Sequence, residues 1–245
     1  VDTAVDLTWI WYDNEEVASD LNGLGRLAAH HPGLLAGDFA ILGEPTNALI
    51  EGGCNGTMRV ELRTSGTRAH SARAWVGVNA IHAAAPILDI LAAYEPRSIE
   101  VDGLVYREGL NAVAIVGGVA GNVIPDECVV TVNYRFAPDK IGREAEAYLR
   151  QVFIGIDLVV TDSADGARPG LDAPLAQQFL AAVGGEARPK YGWTDVARFS
   201  ALGIPAINYG PGDPLLAHAD DERVPVAQIT ECEQGLRAWL EQRRF

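Results

Sequence analysis

Two adjacent carboxylates, Glu15 and Glu16, end the acidic turn Asp13-Asn14-Glu15-Glu16, which follows the apolar run Leu7 to Tyr12. In α/β proteins, sites gather on the loops leaving the carboxyl ends of strands, because the sheet behind them is rigid. Neighbouring carboxylates repel there and need a metal ion, a proton or a cation nearby. A solvated acidic turn is the plainer account of the same residues. A further carboxylate, Glu44, lies in Gly43-Glu44-Pro45-Thr46, just after the apolar run Phe39 to Leu42. An imidazole, His218, follows the loop Gly210-Pro211-Gly212. Carboxylates with an imidazole are the donor set of zinc and similar divalent ions, and several carboxylates suit a two-metal hydrolytic site.

A separate polar group comprises His70 in Gly66-Thr67-Arg68-Ala69-His70-Ser71-Ala72, Asn122 in Gly121-Asn122-Val123-Ile124-Pro125, and Arg135 in Asn133-Tyr134-Arg135-Phe136. An imidazole, an amide and a guanidinium could bind a carboxylate-bearing substrate and steady an oxyanion. A loop histidine, a turn asparagine and an exposed strand arginine are the ordinary readings. His30-His31 before Pro32-Gly33 reads as a helix end rather than a ligand pair.

The elements that must hold these groups fall into two patterns. Up to residue 55 the rhythm is strand, polar turn, helix, strand, polar turn, with strands at Leu7–Tyr12 and Phe39–Leu42 and a helix at Asn22–Ala29. This is the βαβ order of a mainly parallel sheet. From Gly56 the residues alternate, with Met58, Val60 and Leu62 against Arg59, Glu61 and Arg63. A helix over 79–94, strands over 99–106, 111–117 and 127–136, a helix over 141–152 and a strand over 156–161 follow. Apart from one edge strand this is β-α-β-β-α-β, the ferredoxin-like order. Helices 173–183, 194–201 and 225–242 and a strand over 204–209 resume the α/β rhythm. The expected architecture is a discontinuous catalytic domain, 1–55 and 164–245, with an α+β domain inserted at 56–163.

With 245 residues, 48% of them hydrophobic, the chain can bury a substantial core. Its net charge of −14 argues against nucleic acid or an anionic membrane as partner, since both demand a basic face. No run reaches the length of a membrane span, and the start carries no signal-peptide pattern. Cys54, Cys128 and Cys232 are separated and odd in number, which suggests a reducing cytoplasm. Only Lys140 and Lys190 are lysines, a scarcity that reads as coding bias.

Asn14-Glu15-Glu16-Val17, Gly43-Glu44-Pro45-Thr46, Gly66 to Ser71, Asn122 to Pro125, and Gly210-Pro211-Gly212 with His218 and Glu222 occur in that order. Together they resemble the M20 family of zinc-dependent aminoacylases and carboxypeptidases. Tyr106-Arg107-Glu108-Gly109-Leu110 and Tyr191-Gly192-Trp193-Thr194-Asp195 resemble its actinobacterial succinyl-diaminopimelate desuccinylases. The likeness extends over essentially the whole chain. It implies that Glu15 is the general base for a metal-activated water, that Glu16 and His218 hold one Zn2+, and that Glu44 holds a second. Co2+ is the alternative ion. It also implies that His70 and Asn122 bind substrate and oxyanion from a lid that forms the homodimer, reaching the partner subunit's site. Arg135, Thr194 and Arg198 correspond to substrate-contacting positions.

Two departures accompany the likeness. The family's His-x-Asp motif and bridging aspartate precede the glutamate pair, so the sequence reads as lacking the family's N-terminal part. Gly52-Gly53-Cys54-Asn55-Gly56 stands where many desuccinylases carry arginines. The expected activity is a cytoplasmic hydrolysis of N-succinyl-LL-2,6-diaminopimelate to succinate and LL-2,6-diaminopimelate. The alternatives are another N-acyl amino acid hydrolase, of the acetylornithine deacetylase or aminoacylase type, or a chain that dimerises without turnover.

Overall fold

A computed structural model describes residues 3, 5–15 and 21–241; Glu16 lies outside the described residues. The chain forms two compact units, one of residues 1–54, 101–104 and 167–245 and one of residues 55–100 and 105–166.

In the first unit, strands Ala40–Leu42, Ala206–Asn208, Glu51–Gly52 and Arg188–Pro189 form a sheet in that spatial order. The first pair and the last pair run parallel, and the middle pair is antiparallel. Alternate side chains leave a strand on opposite faces. Accordingly Ala206 joins a core with Leu24, Leu42, Val196 and Phe199, while Ile207 joins another with Ile50, Phe179 and Tyr209. Helices Gly23–His30 and Val196–Ala201 contribute to the first core, and Pro174–Val183 and Val226–Leu240 to the second. Both faces of the sheet are therefore covered, as in other α/β layers.

The expected strand at Leu7–Tyr12 is not formed. Residues 6–12 belong to no ladder. Ile10 and Tyr12 pack on the first core, whereas Trp9 and Trp11 stack on each other and remain 64% and 84% exposed. Alternation in the sequence signals two faces, but a strand also requires a hydrogen-bonded neighbour.

The second unit contains a four-stranded antiparallel sheet in the order Asp157–Ala164, Gly56–Ser65, Glu127–Phe136, Gly109–Gly117. With helices Ala80–Ala83 and Ala85–Ala92 and helix Gly142–Val152, this is the ferredoxin-like β-α-β-β-α-β arrangement. Met58, Val60 and Leu62 are buried against Val130, Val132, Tyr134 and Leu149, as their alternation predicts. The helix expected over 79–94 is broken at Ala84, just before Pro86, which has no amide hydrogen to continue the ladder. The single strand expected over 99–106 is a hairpin, Ser98–Val101 with Leu104–Arg107. Asp102 and Gly103 both have positive φ, 46° and 82°, as a two-residue hairpin turn requires.

Candidate active site

The Glu15 turn is built by its neighbours in the fold. Asn14 takes a left-handed conformation, φ 56°, which asparagine tolerates better than most residues. The Asp13 carbonyl accepts the Gly23 amide hydrogen at 2.9 Å, and Asp13 pairs with Arg26 at 2.8 Å. A Cβ on Gly23 would collide with Asp13. The Glu15 carbonyl accepts from Asn22 Nδ2 at 3.4 Å, while Asn22 Oδ1 caps the Gly23–His30 helix through the Gly25 amide at 2.7 Å.

The Glu44 turn is joined to the Gly210 loop. The amides of Thr46 and Ala48 donate to the Gly210 carbonyl at 3.2 and 3.0 Å, and that of Asn47 donates to Gly212 at 2.7 Å. A Cβ on Gly210 would lie 2.5 Å from the Glu44 carbonyl oxygen, so only glycine allows this approach. On the opposite side, Lys190 donates to the Pro45 carbonyl at 3.1 Å and pairs with Glu51 at 3.0 Å.

The half-buried Tyr12 donates its hydroxyl hydrogen to Asp195 at 2.9 Å. Burial raises its pKa most, followed by the charge of Asp195 and a hydrogen bond to it, then by the charges of Glu15 and Glu44. His218 sits in an exposed turn with φ 64°, its amide donating to Glu222 at 3.1 Å. Carboxylates and an imidazole fit a divalent ion in kind. However, no three His, Cys, Asp or Glu side chains are grouped to hold one among the described residues.

Thr194 and Arg198 have protein partners. The buried Thr194 hydroxyl donates to Asn208 Oδ1 at 2.9 Å, and Arg198 Nε donates to Asp195 at 2.5 Å with its guanidinium 5.3 Å from the Trp193 ring centre.

In the second unit, the two-stranded pairing of Ala69–His70 with Val123–Ile124 sets His70 opposite Val123. The Ser71 amide bonds to the Asn122 carbonyl at 2.9 Å, so His70 and Asn122 share one loop cluster. His70 Nδ1 accepts from the Ala72 amide at 3.1 Å, which leaves Nε2 as the ring's N–H donor. Arg135 bonds to Asn133 at 3.1 Å near the far end of the Glu127–Phe136 strand. It lies eight residue steps along the strand from Glu127, roughly 27 Å at about 3.4 Å per step.

Tyr12, Asn22, Asp195 and Lys190 do not stand out in the sequence. An aspartate before a helix looks like a cap, and Lys190 looked like compositional chance. Both lysines are instead partners of glutamates, Lys190 of the partly buried Glu51 and Lys140 of the buried Glu108. The three cysteines are free and buried, and burial pushes the Cys54 thiol up to about 11. No helix among the described residues is long and apolar enough to cross a membrane.

Residues 53–155 match the peptidase dimerisation domain family. A Mycobacterium tuberculosis protein provisionally named succinyl-diaminopimelate desuccinylase DapE is 57% identical over 237 residues, covering 96% of this chain and 67% of its own length. The succinyl-diaminopimelate desuccinylase of Corynebacterium glutamicum is 49% identical over 241 residues, covering 96% and 65%. The chain thus spans about two thirds of the length of these relatives. Among solved structures, a Staphylococcus aureus tripeptidase aligns with TM-score 0.69 at 18% identity, over 89% of this chain and 60% of its own. An M20 metallo-carboxypeptidase from Sulfolobus solfataricus aligns at 0.67 and 17%, over 89% and 66%. At such identities the structures speak for the fold alone.

Proposed function

The chain belongs to the M20 family of metal-dependent hydrolases, and we propose that its activity is the hydrolysis of N-succinyl-LL-2,6-diaminopimelate to succinate and LL-2,6-diaminopimelate. The observation that carries this reading is the identity, 57% and 49% over 96% of this chain, to proteins bearing that name.

Glu15 takes the proton of the attacking water, which requires its carboxylate within about 3 Å of that oxygen. A bound divalent ion, Zn2+ in this proposal and two per chain, would be held by Glu44, Glu16 and His218 and would supply Lewis acidity toward water and amide carbonyl. His70 Nε2 and the Asn122 side chain donate to the oxyanion that forms at the succinyl carbon. Arg135 and Arg198 bind the substrate carboxylates, with Thr194 beside Arg198.

A homodimer through the second unit accompanies this reading. Its edge strand Gly109–Gly117 exposes Val113, Ile115 and Val116, the last at 68%, an apolar edge that soluble proteins normally cover. His70 and Asn122 share one loop cluster while Arg135 lies on the Glu127–Phe136 strand, an arrangement in keeping with two lids serving each site. The proposed setting is the cytoplasm, in keeping with three unpaired cysteines.

The test is turnover of a panel of N-acyl amino acids by zinc-loaded protein. The expected result is a preference for the N-succinyl diamino acid; a clear preference for N-acetylornithine would overturn the substrate assignment. Glu15→Gln should abolish turnover with zinc binding retained, whereas Glu44→Gln should weaken zinc binding.

A further inference from the structure

Asp195 occupies the N-cap position of the Val196–Ala201 helix, yet its side chain caps nothing. An aspartate at that position ordinarily bonds the helix's own amides. Here the fully buried carboxylate faces away from that task. Its Oδ2 accepts the Tyr12 hydroxyl at 2.9 Å and Asn22 Nδ2 at 3.1 Å, and its Oδ1 accepts Arg198 Nε at 2.5 Å.

Two of those donors flank the glutamate turn. Tyr12 immediately precedes Asp13-Asn14-Glu15, and Asn22 Nδ2 also reaches the Glu15 carbonyl. The segment from Tyr12 to Asn22 therefore starts and finishes on one carboxylate, contributed from more than 170 residues downstream. Asn22 is itself held by the helix it caps and is almost wholly buried. A buried carboxylate paired with a guanidinium is a stiff anchor, because releasing Tyr12 or Asn22 leaves one of its buried lone pairs without a donor.

We propose that Asp195 is a positioning residue for the general base. Through Tyr12 and Asn22 it holds the Glu15 backbone where proton abstraction requires it, without touching substrate. The inference rests on the reading of Glu15 as base. Misplacing a reacting group by about 1 Å can cost about 100-fold in rate, so an anchor of this kind acts on kcat.

The experiment compares Tyr12→Phe, Asp195→Asn and their double variant in the zinc-loaded protein. Tyr12→Phe removes one hydroxyl and keeps the ring in its core. The expected result is a kcat lowered roughly 10-fold in Tyr12→Phe with KM nearly unchanged, and lowered roughly 100-fold in Asp195→Asn with KM raised as well, since that change also loosens Arg198. The double variant should be no slower than Asp195→Asn, because both changes sever one connection. Amide hydrogen exchange of Asp13–Glu15 and Leu21–Leu24 should quicken in both single variants, while the Gly56–Ser65 strand keeps its parental rates. Unchanged exchange at the turn, parental kcat, or fully additive losses would overturn the inference. Full turnover in Glu15→Gln would instead defeat the reading of Glu15 and the inference with it, so the two failures are distinguishable.

Discussion

Lys190 and Glu51 form a buried ion pair, Nζ to Oε2 3.0 Å, and the same ammonium holds the Pro45 carbonyl next to Glu44. The contact is an ion pair rather than an aligned hydrogen bond, since Glu51 Oε2 has no partner of hydrogen-bond geometry. Burial raises the Glu51 pKa above 4.5, and Lys190 opposes that rise. Lys190→Met should therefore destabilise the first unit by about 3–5 kcal/mol, the usual cost of leaving one buried charge alone. The sign with pH follows. A raised carboxyl pKa means that the folded state holds the proton more tightly, so the variant's stability should fall as pH rises above the carboxylate range. Urea denaturation across pH 5 to 8 reads both effects, and a pH-independent loss would contradict them.

Glu108 shows the opposite sign. It is buried, which raises a carboxyl pKa. Yet Lys140 at 2.6 Å, the Ala137 amide at 3.1 Å and Arg97 at 2.7 Å together hold it below 4.5. The stability it gives the second unit is present above the unfolded carboxylate pKa and is lost as pH falls below it. Glu108→Gln should lower stability at pH 7 and flatten the acid limb, measured by hydrogen exchange in the Glu127–Phe136 strand. An acid limb as steep as the parent's would exclude Glu108 as its source.

His70 is exposed, with one ring nitrogen fixed by the Ala72 amide. If Nε2 donates to the oxyanion, His70→Ala should lower kcat by about 100- to 1,000-fold, the range for loss of one such donor. Thermal stability should hardly change, because the ring is not part of the core. Steady-state kinetics with a melting curve distinguishes this from a structural role; a large drop in melting temperature would point to the latter.

Gly210→Ala tests the join between the Glu44 turn and the loop before His218. The new methyl group would meet the carbonyl oxygens of Glu44 and Gly43 at 2.5 and 2.8 Å, both backbone atoms. Overpacking of this kind typically costs about 1–3 kcal/mol, and zinc affinity should fall with it. Unchanged zinc affinity on calorimetric titration would mean that the Glu44 turn does not help hold the ion.

Periodicity and order were legible without coordinates. The alternation of Met58, Val60 and Leu62 specifies a strand with one buried face, and the sequence of elements from 56 to 164 specifies a ferredoxin-like unit, because both depend on residues near in the chain. The single helix expected over 79–94 and the single strand over 99–106 failed on local chemistry that was also legible: Pro86 breaks the first, and Asp102-Gly103 folds the second into a hairpin.

The sequence alone determined which groups could do chemistry: Glu15 and Glu44 in polar turns, and His70 and Asn122 in small-residue loops. Tertiary structure alone decided what holds them. That the Tyr12 hydroxyl donates to Asp195 depends on residues 183 positions apart. That Asp195 anchors the Glu15 turn instead of capping its helix depends on where Tyr12 and Asn22 bring their donors. Spacing along a chain governs helices, strands and turns, whereas a buried charge is matched only when folding brings its partners within about 3 Å.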